Sequence, residues 1–415
     1  MKETIALDML QTAGVGALAL VLGMVMTRKI AWLQKFCIPS PVSGGIVFSM
    51  ITLIIYTACG VEISFDGTLK DVFMLAFFTS VGFQSNFRVL RQGGKTLVVM
   101  LVLLVIIIVM QNAMPLAIAK MMNVSPLVGM AAGSISMAGG HGTAGGFSSV
   151  LEQMGLQGAG TVSMAAATFG LIAGSVIGGP VAEQLIRRHL TSEHLEPKDF
   201  EVDPALAGFE SDESLPQGHA KHISDNEHEF HQYATATYAL LMVMALGTVA
   251  SRLLQRTGIT FPTYFGALIM AAIVRNIVEL TPYSNKLPIE KIVSTGNIAL
   301  SMFLGMAMIS LKLWELESLA MPLVTILVAQ VLMIALLTYF VAFRMLGCDY
   351  DAAVLVAGIC GFSLGATPNA MANMSAVGYK YHYSVKPFLI VPIIGAMFVD
   401  LINTGVITVF LNWIG

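Results

Sequence analysis

The sequence predicts an all-α polytopic membrane protein built from two inverted-topology repeats, each with five transmembrane helices and a re-entrant hairpin. Three observations indicate this fold class. First, 56% of the 415 residues are hydrophobic and only 11% are charged, whereas soluble domains carry roughly 25% charged residues. Second, the runs 97–110 and 323–343 are apolar and uncharged. Third, motifs of the first half of the chain return in the same order in the second half.

The apolar runs place the predicted spans, because about 20 apolar residues in a helix cross the hydrocarbon core of a bilayer. The first run is interpreted as a retained helix, since Asp8 interrupts its start and Arg28 and Lys29 follow it, which is atypical of a cleaved signal peptide. In the first half the predicted spans are 7–27, 40–59, 70–90, 96–119 and 160–186. In the second half they are 233–254, 260–279, 292–312, 320–345 and 386–412.

Two Gly/Ala/Ser-rich segments, 126–156 and 351–383, interrupt this pattern between the fourth and fifth spans of each half. Turn-forming residues cut both segments, so each is predicted to enter the membrane and return to the same side. The halves align at an offset of between 221 and 225 residues, which chance similarity does not explain. The matched pairs are Pro39 with Pro262, Gly45 with Gly266, Gly82 with Gly305, Gly133 with Gly358, Gly140 with Gly365 and Gly170 with Gly395.

The distribution of Lys and Arg predicts the orientation, because these residues favour the cytoplasmic side of a membrane. With five spans per half, the second half is inverted relative to the first. Placing both termini in the periplasm puts fourteen of the twenty basic residues outside the central segment at cytoplasmic ends. If the broken segments crossed fully, each half would have six crossings and the halves would be parallel, which the charge pattern does not favour.

The segment 189–232 separates the N-terminal repeat, 1–188, from the C-terminal repeat, 233–415. It holds eleven of the 25 acidic residues and six of the eight histidines, and such a polar chain buries too little surface to fold alone. It is predicted to be a cytoplasmic linker, although a His-rich tract can also bind metal. The histidines of that alternative are His219, His222, His228 and His231. The four cysteines are scattered, so a disulfide framework is not expected.

The first broken segment has residues suited to an anion. Irregular backbone within a bilayer must be buried in protein or line a cavity, and a half-helix that begins after such a turn directs free N–H groups at a negative ligand. We therefore predict that this segment binds substrate carboxylate. The candidate residues are Ser136, Gly140, His141, Gly142 and Thr143. A histidine that only satisfies a backbone carbonyl is the alternative for His141.

The second broken segment has residues suited to a cation as well as substrate. Pro368 lacks an N–H and restricts Thr367 to extended angles, which breaks the helix. Asn369 and Asn373 lie one helical turn apart and offer amide oxygens. We predict substrate binding by Thr367 and Asn369 and sodium binding by Asn369 and Asn373. Hydrogen bonding between helices is the alternative role for the two asparagines.

Polar residues within predicted spans complete the candidate site. Asp400 lies deep in the last span, where an unpaired carboxylate is expensive and usually functional, and Asn403 follows one turn later. Both are predicted sodium ligands. Gln111 and Asn112 interrupt the apolar fourth span and are predicted to support the site, with helix packing as an equal alternative.

Four motifs resemble those of the bacterial sodium/glutamate symporters. They are MQN at 110–112, GGHGT at 139–143, LKLWEL at 311–316 and LGATP at 364–368. Their order and spacing match that family over nearly the whole chain apart from the central segment. The resemblance implies a homodimeric, sodium-coupled carrier of L-glutamate in the bacterial inner membrane, with two hairpins in a mobile transport domain and an elevator-type alternating access. It implies no enzyme activity and no cofactor other than the coupling sodium ion.

Other functions were weighed against this one. A sodium-coupled carrier of another small anion, such as aspartate or a di- or tricarboxylate, fits the same fold. An intramembrane hydrolase using Ser136 and His141 lacks a convincing nucleophile motif. A channel does not need two inverted broken segments.

Overall fold

A computed structural model of the chain describes residues 3–86, 94–190, 224–256, 262–281 and 287–414. These residues are mostly helical. The first half contains strand β1 (Glu3–Leu7), α1 (Met9–Lys29), α2 (Ala31–Lys35), α3 (Ser40–Cys59), strand β2 (Val61–Phe65), α4 (Thr68–Gln84), α5 (Gly94–Met121), α6 (Pro126–Ala131), α7 (Gly140–Gln153) and α8 (Ala159–His189).

The second half repeats much of this order of helices. It contains α9 (Ser224–Gln255), α10 (Thr263–Glu279), α11 (Ile289–Ile309), a 3₁₀ helix (Leu313–Leu319), α12 (Ala320–Leu346) with a π-helical turn at Thr338–Ala342, α13 (Tyr350–Leu364), α14 (Thr367–Lys380), α15 (Val385–Met397) and α16 (Val399–Ile414).

Local sequence explains several helix boundaries. The Asp8 carboxylate accepts a hydrogen bond from the backbone N–H of Gln11 at 2.8 Å, and the Gln11 side chain accepts one from the Asp8 N–H, which forms a capping box at the start of α1. Helix α3 ends at Gly60, which has a φ of 69°, a conformation that glycine adopts without strain. The Asp349 carboxylate caps α13 by accepting from the Ala352 N–H at 2.8 Å.

Seven of the described helices are long and apolar enough to cross a membrane, or eight if the bent pair α15 and α16 forms one span. The ten predicted crossings are therefore not all supported by length and composition. Helices α4 and α10 have 17 residues each, which is short for the hydrocarbon core. The predicted single helix 386–412 is also wrong, because the chain bends by 47° between α15 and α16.

A two-stranded parallel sheet was not predicted. Strand β1 pairs with β2, with Glu3 opposite Val61 and Leu7 opposite Phe65. Each strand has five residues, and α1, α2 and α3 separate the two strands along the chain. Neither strand is therefore recognisable from its own pattern. The sheet is the one departure of the described residues from an all-α fold.

The helices form two bundles that pack mainly within themselves. The panel bundle consists of α1, α3, α4, α9, α10 and α11, and the core bundle consists of α5 to α8 and α12 to α16. Within the described ranges, the bundles approach each other through α7 against α11 and α10 and through α15 against α4. The 3₁₀ helix joins α11 to α12, and its Trp314 stacks on Tyr56 of α3 with ring centroids 3.9 Å apart. Both broken segments belong to the core bundle.

Most of the predicted linker 189–232 lies outside the described residues. Helix α8 continues to His189, and α9 begins at Ser224, inside the predicted linker. Of the histidines considered for metal binding, His219 and His222 lie outside the described residues. The predicted end of the third span, residue 90, also lies outside them.

Candidate functional site at the tips of the two broken segments

The tips of the two broken segments lie against each other. In the first segment, α6 has only six residues, the chain turns through 132–139, and α7 begins at Gly140 with a φ of 57°. In the second segment, α13 ends at Leu364 and α14 begins at Thr367. A Cβ atom on Gly140 would lie 3.2 Å from the carbonyl oxygen of Gly365. The contact leaves no room for a larger residue without displacement of a tip.

A cavity of about 390 Å³ opens beside these tips, between the two bundles. The N-terminal ends of α7 and α14 line it through Gly140 and Thr367, so two helix starts face one space. The first turn of α7 has free backbone N–H groups. In α14 the Thr367 N–H remains, because Pro368 has no N–H and the Asn369 N–H donates to the Ala366 carbonyl at 3.0 Å. Asp400 contributes a carboxylate to the same lining. The predicted site residues in the lining are Gly140, His141, Gly142, Thr367 and Asp400, and the panel bundle adds Phe77, Val81, Gln84, Asn297, Leu300 and Leu304.

Ser136 and His141 both have partners within the core bundle. The Ser136 hydroxyl is fully buried and lies in hydrogen-bond range of the carbonyl oxygens of Ala131 and Ser163, the latter at 2.8 Å. It does not line the cavity. His141 does line it, while its Nε2 lies 3.0 Å from the Thr168 hydroxyl. The histidine thus has a structural partner on one side and the cavity on the other.

A group of buried polar side chains surrounds Asp400. The Thr143 hydroxyl donates to the Asp400 carboxylate at 3.3 Å, and the Asn403 amide nitrogen donates to the Ser134 carbonyl at 3.0 Å. The Asn403 Oδ1 and Thr404 Oγ1 atoms are buried and have no hydrogen-bond partner among the described residues. Oxygen-rich clusters of this kind suit hard cations, and sequence reasoning missed Thr404.

Asn369 and Asn373 face a different helix. The Asn369 side-chain nitrogen donates to the Leu171 carbonyl at 2.7 Å, and that of Asn373 donates to the Gly174 carbonyl at 2.8 Å. Both acceptors lie on α8. No hydrogen bond within the described residues joins either asparagine to Asp400, so the four predicted sodium ligands fall into two groups. Asn369 Oδ1 remains buried without a hydrogen-bond partner in the described part of the chain.

Gln111 and Asn112 contact both broken segments from α5. The Gln111 amide donates to the Ser363 carbonyl at 2.7 Å, next to the tip of the second segment. The Asn112 amide donates to the Ser134 hydroxyl at 2.8 Å in the first segment. Gln330 on α12 donates to the Gln111 carbonyl at 2.9 Å. Gln330 was missed, although a single amide in the apolar run 323–343 was a usable signal.

The glycines of α7 serve contact between the bundles as well as the tip. A Cβ atom on Gly142 would lie 3.1 Å from the Phe77 ring, one on Gly145 would lie 2.4 Å from the Phe303 ring, and one on Gly146 would lie 2.4 Å from the Tyr264 ring. These rings belong to α4, α11 and α10 of the panel bundle. The absence of side chains on one face of α7 therefore lets the core bundle approach the panel closely.

Comparison with known proteins agrees with the transporter-like architecture. A family model described as sodium/glutamate symporter matches residues 5–383. The sodium/glutamate symporters of Escherichia coli and Shigella flexneri are each 40% identical over 408 residues, covering 98% of this chain and 98% of each relative. That of Haemophilus influenzae is 38% identical over 401 residues, covering 96% of both chains. These relatives are transporters and not enzymes. The chain belongs to the sodium/glutamate symporter family.

Proposed function

We propose that this protein carries L-glutamate into the cell together with sodium ions, by alternating access of an elevator type. The names of the relatives described above indicate glutamate as the substrate and sodium as the coupling ion. The observation that carries the proposal is the cavity in which two helix N-termini and a half-buried carboxylate meet between the bundles. Transporters place anionic substrates at half-helix N-termini and coupling ions at unwound backbone near the same depth.

Glutamate would bind at the tips of the two broken segments. The first turn of α7 and the Thr367 N–H at the start of α14 offer backbone donors to its carboxylates, and His141 and Thr367 line the same space. Gln84 and Asn297 of the panel bundle offer amide groups on the opposite wall. The backbone N–H groups can donate to the carboxylates of glutamate, and the amide oxygens of Gln84 and Asn297 can accept from its ammonium group.

Sodium would bind beside Asp400, where Thr143, Asn403 and Thr404 provide further oxygens. The Asp400 carboxylate and a bound glutamate anion repel each other in a low-dielectric site. A sodium ion between them removes this repulsion, so cation and substrate favour each other's binding. Asn369, with its unpartnered Oδ1, is a second candidate ligand on the α8 side of the tips.

The arrangement of bundles supports a sliding movement. Both broken segments, Asp400 and their polar braces lie in the core bundle, whereas the panel bundle supplies mainly apolar rings and aliphatic side chains to the cavity. The core could therefore carry the bound ligands past the panel as one body. Inverted repeats, a homodimer in the inner membrane, periplasmic termini and a cytoplasmic linker belong to this proposal and rest on the charge pattern and the resemblance.

The test is sodium-dependent glutamate uptake by Asp400→Asn in proteoliposomes. Loss of a charged ligand weakens the binding free energy of sodium by about 1.5–3 kcal/mol. We therefore expect the half-saturating sodium concentration to rise at least about tenfold. Asp71→Asn, an acid-to-amide change on an exposed side chain at the start of α4, is the matched control and should keep the normal value. Unchanged sodium dependence in Asp400→Asn would contradict the assignment. Competition by glutamate, aspartate, citrate and malate identifies the substrate.

A further inference from the structure

Tyr264 spans the interface between the bundles. It lies on α10 of the panel bundle and is fully buried. Its ring stacks on Phe78 of α4, with centroids 3.7 Å apart and planes 11° from parallel. The same ring meets Phe147 of α7 edge-on, with centroids 6.0 Å apart. One aromatic side chain of the panel is therefore inserted into the core bundle, against the helix that begins at the substrate cavity.

The Tyr264 hydroxyl ends among the polar atoms near Asp400. It faces the Thr404 side chain, one helical turn after Asp400. The ring itself meets Phe147, one turn after Thr143, whose hydroxyl donates to the Asp400 carboxylate at 3.3 Å. Within the described residues, neither Tyr264 Oη nor Thr404 Oγ1 has a hydrogen-bond partner of normal geometry. Buried hydroxyls are nearly always paired in folded proteins. Two buried hydroxyls that face each other without a well-formed hydrogen bond, next to a carboxylate, leave oxygen lone pairs open to a ligand.

The position of this hydroxyl is set by ring packing alone. The stack on Phe78 fixes the plane of the ring, and the missing side chain of Gly146 leaves the space that the ring occupies. A phenol oxygen held in this way is preorganised, because no hydrogen bond within the protein has to be broken before it can contact a ligand. Its neutral oxygen suits a hard cation.

We propose that Tyr264 supplies an oxygen from the panel bundle to the cation site around Asp400. The inference rests on the proposed function, because it concerns the same sodium site. Its consequence is mechanical. Asp400, Thr143 and Thr404 move with the core bundle, whereas Tyr264 stays with the panel. The site therefore has this oxygen in only one relative position of the bundles, and its sodium affinity differs between the two conformations.

The experiment measures sodium-induced thermal stabilisation of the purified full-length protein, with potassium replacing sodium at constant ionic strength. A ligand that binds the folded state raises the melting temperature by an amount that grows with the logarithm of its concentration relative to its dissociation constant. Tyr264→Phe keeps the ring and removes only the hydroxyl. We expect its melting temperature without sodium to equal that of the wild type, and the sodium concentration needed for a given rise in melting temperature to increase about three- to tenfold.

Two further variants separate the possible results. Tyr238→Phe removes an exposed hydroxyl on α9 and should respond to sodium as the wild type does. Asp400→Asn should lose most of the sodium response. If Asp400→Asn loses the response and Tyr264→Phe keeps it, the role of Tyr264 is overturned while the proposed sodium site stands. A normal response in Asp400→Asn overturns both. A lower melting temperature in Tyr264→Phe with a normal sodium response assigns the residue to packing and also overturns the inference.

Discussion

The two broken segments hold equivalent places in the order of the chain but have different neighbours. The first turns Gly142, Gly145 and Gly146 towards aromatic rings of the panel bundle, and its Thr143 towards Asp400. The second turns its asparagines towards α8, inside its own bundle. The first broken segment therefore forms part of the surface along which the bundles meet, whereas the second broken segment is anchored within the core bundle. Three changes test that division.

The largest effect is expected from adding a methyl group to the interface. In Gly146→Ala the new Cβ meets the Tyr264 ring of the opposite bundle, and overpacking of this kind costs about 1–3 kcal/mol. We expect the added methyl group to raise the barrier to movement of the core bundle past the panel bundle. Uptake should then decrease about tenfold or more, while the yield of folded protein stays high. Initial uptake rate and size-exclusion profile are the measurements.

Two matched glycines sharpen the same test. In Gly361→Ala the new Cβ meets the Ala370 backbone within the second hairpin, so folded yield should fall instead. Gly179→Ala on α8 has no atom within 4 Å of the new Cβ and should change neither quantity. Equal behaviour of Gly146→Ala and Gly361→Ala would remove the distinction between the hairpins.

An intermediate effect is expected from Asn373→Ala. The change removes the hydrogen bond from the Asn373 amide to the Gly174 carbonyl, which joins α14 to α8, and the loss of one such bond costs about 0.5–1.5 kcal/mol. We expect a lower melting temperature, with the half-saturating sodium concentration for uptake unchanged. A raised sodium requirement at an unchanged melting temperature would instead restore Asn373 to the sodium site predicted from the sequence.

The smallest effect concerns the outer end of the first hairpin, where Glu152 of α7 lies near Glu315 of the 3₁₀ helix. Burial raises the pKa of the Glu315 carboxyl, although the positive charge of Lys312 opposes this rise. A raised carboxyl pKa in the folded state destabilises the protein above that pKa and the penalty disappears as the pH falls through it. Glu315→Gln should therefore have a slightly higher melting temperature than the wild type at pH 7. The gain in the free energy of unfolding should be less than about 1 kcal/mol, because the group is partly exposed.

The difference between Glu315→Gln and the wild type should shrink as the pH falls towards 5. Thermal melts of both proteins across this range provide the measurement. A difference that is independent of pH would show that Glu315 acts by packing and not by charge.

The sequence allowed the seven long apolar helices of the described chain and both breaks to be located, because apolar runs and Pro368 act locally. It allowed Asp400 to be singled out because a carboxylate in an apolar span is rare. It did not reveal that Asn369 and Asn373 face α8, since side-chain direction depends on the packing of helices distant in sequence. Tyr264 carried no signal either, because an aromatic residue in an apolar helix is ordinarily a packing residue. The bend between α15 and α16 was also hidden within a continuous apolar pattern.

The contact between Gly140 and the Gly365 carbonyl has a consequence for how such a protein can change over generations. The two tips come from different halves of the chain, yet each forms part of the wall of the other. A substitution that adds bulk to one tip presses on the backbone of the other, so the shape of the cavity depends on residues from both halves of the chain. Any attempt to transplant the ligand preference of a relative would therefore have to exchange the two tips as a pair.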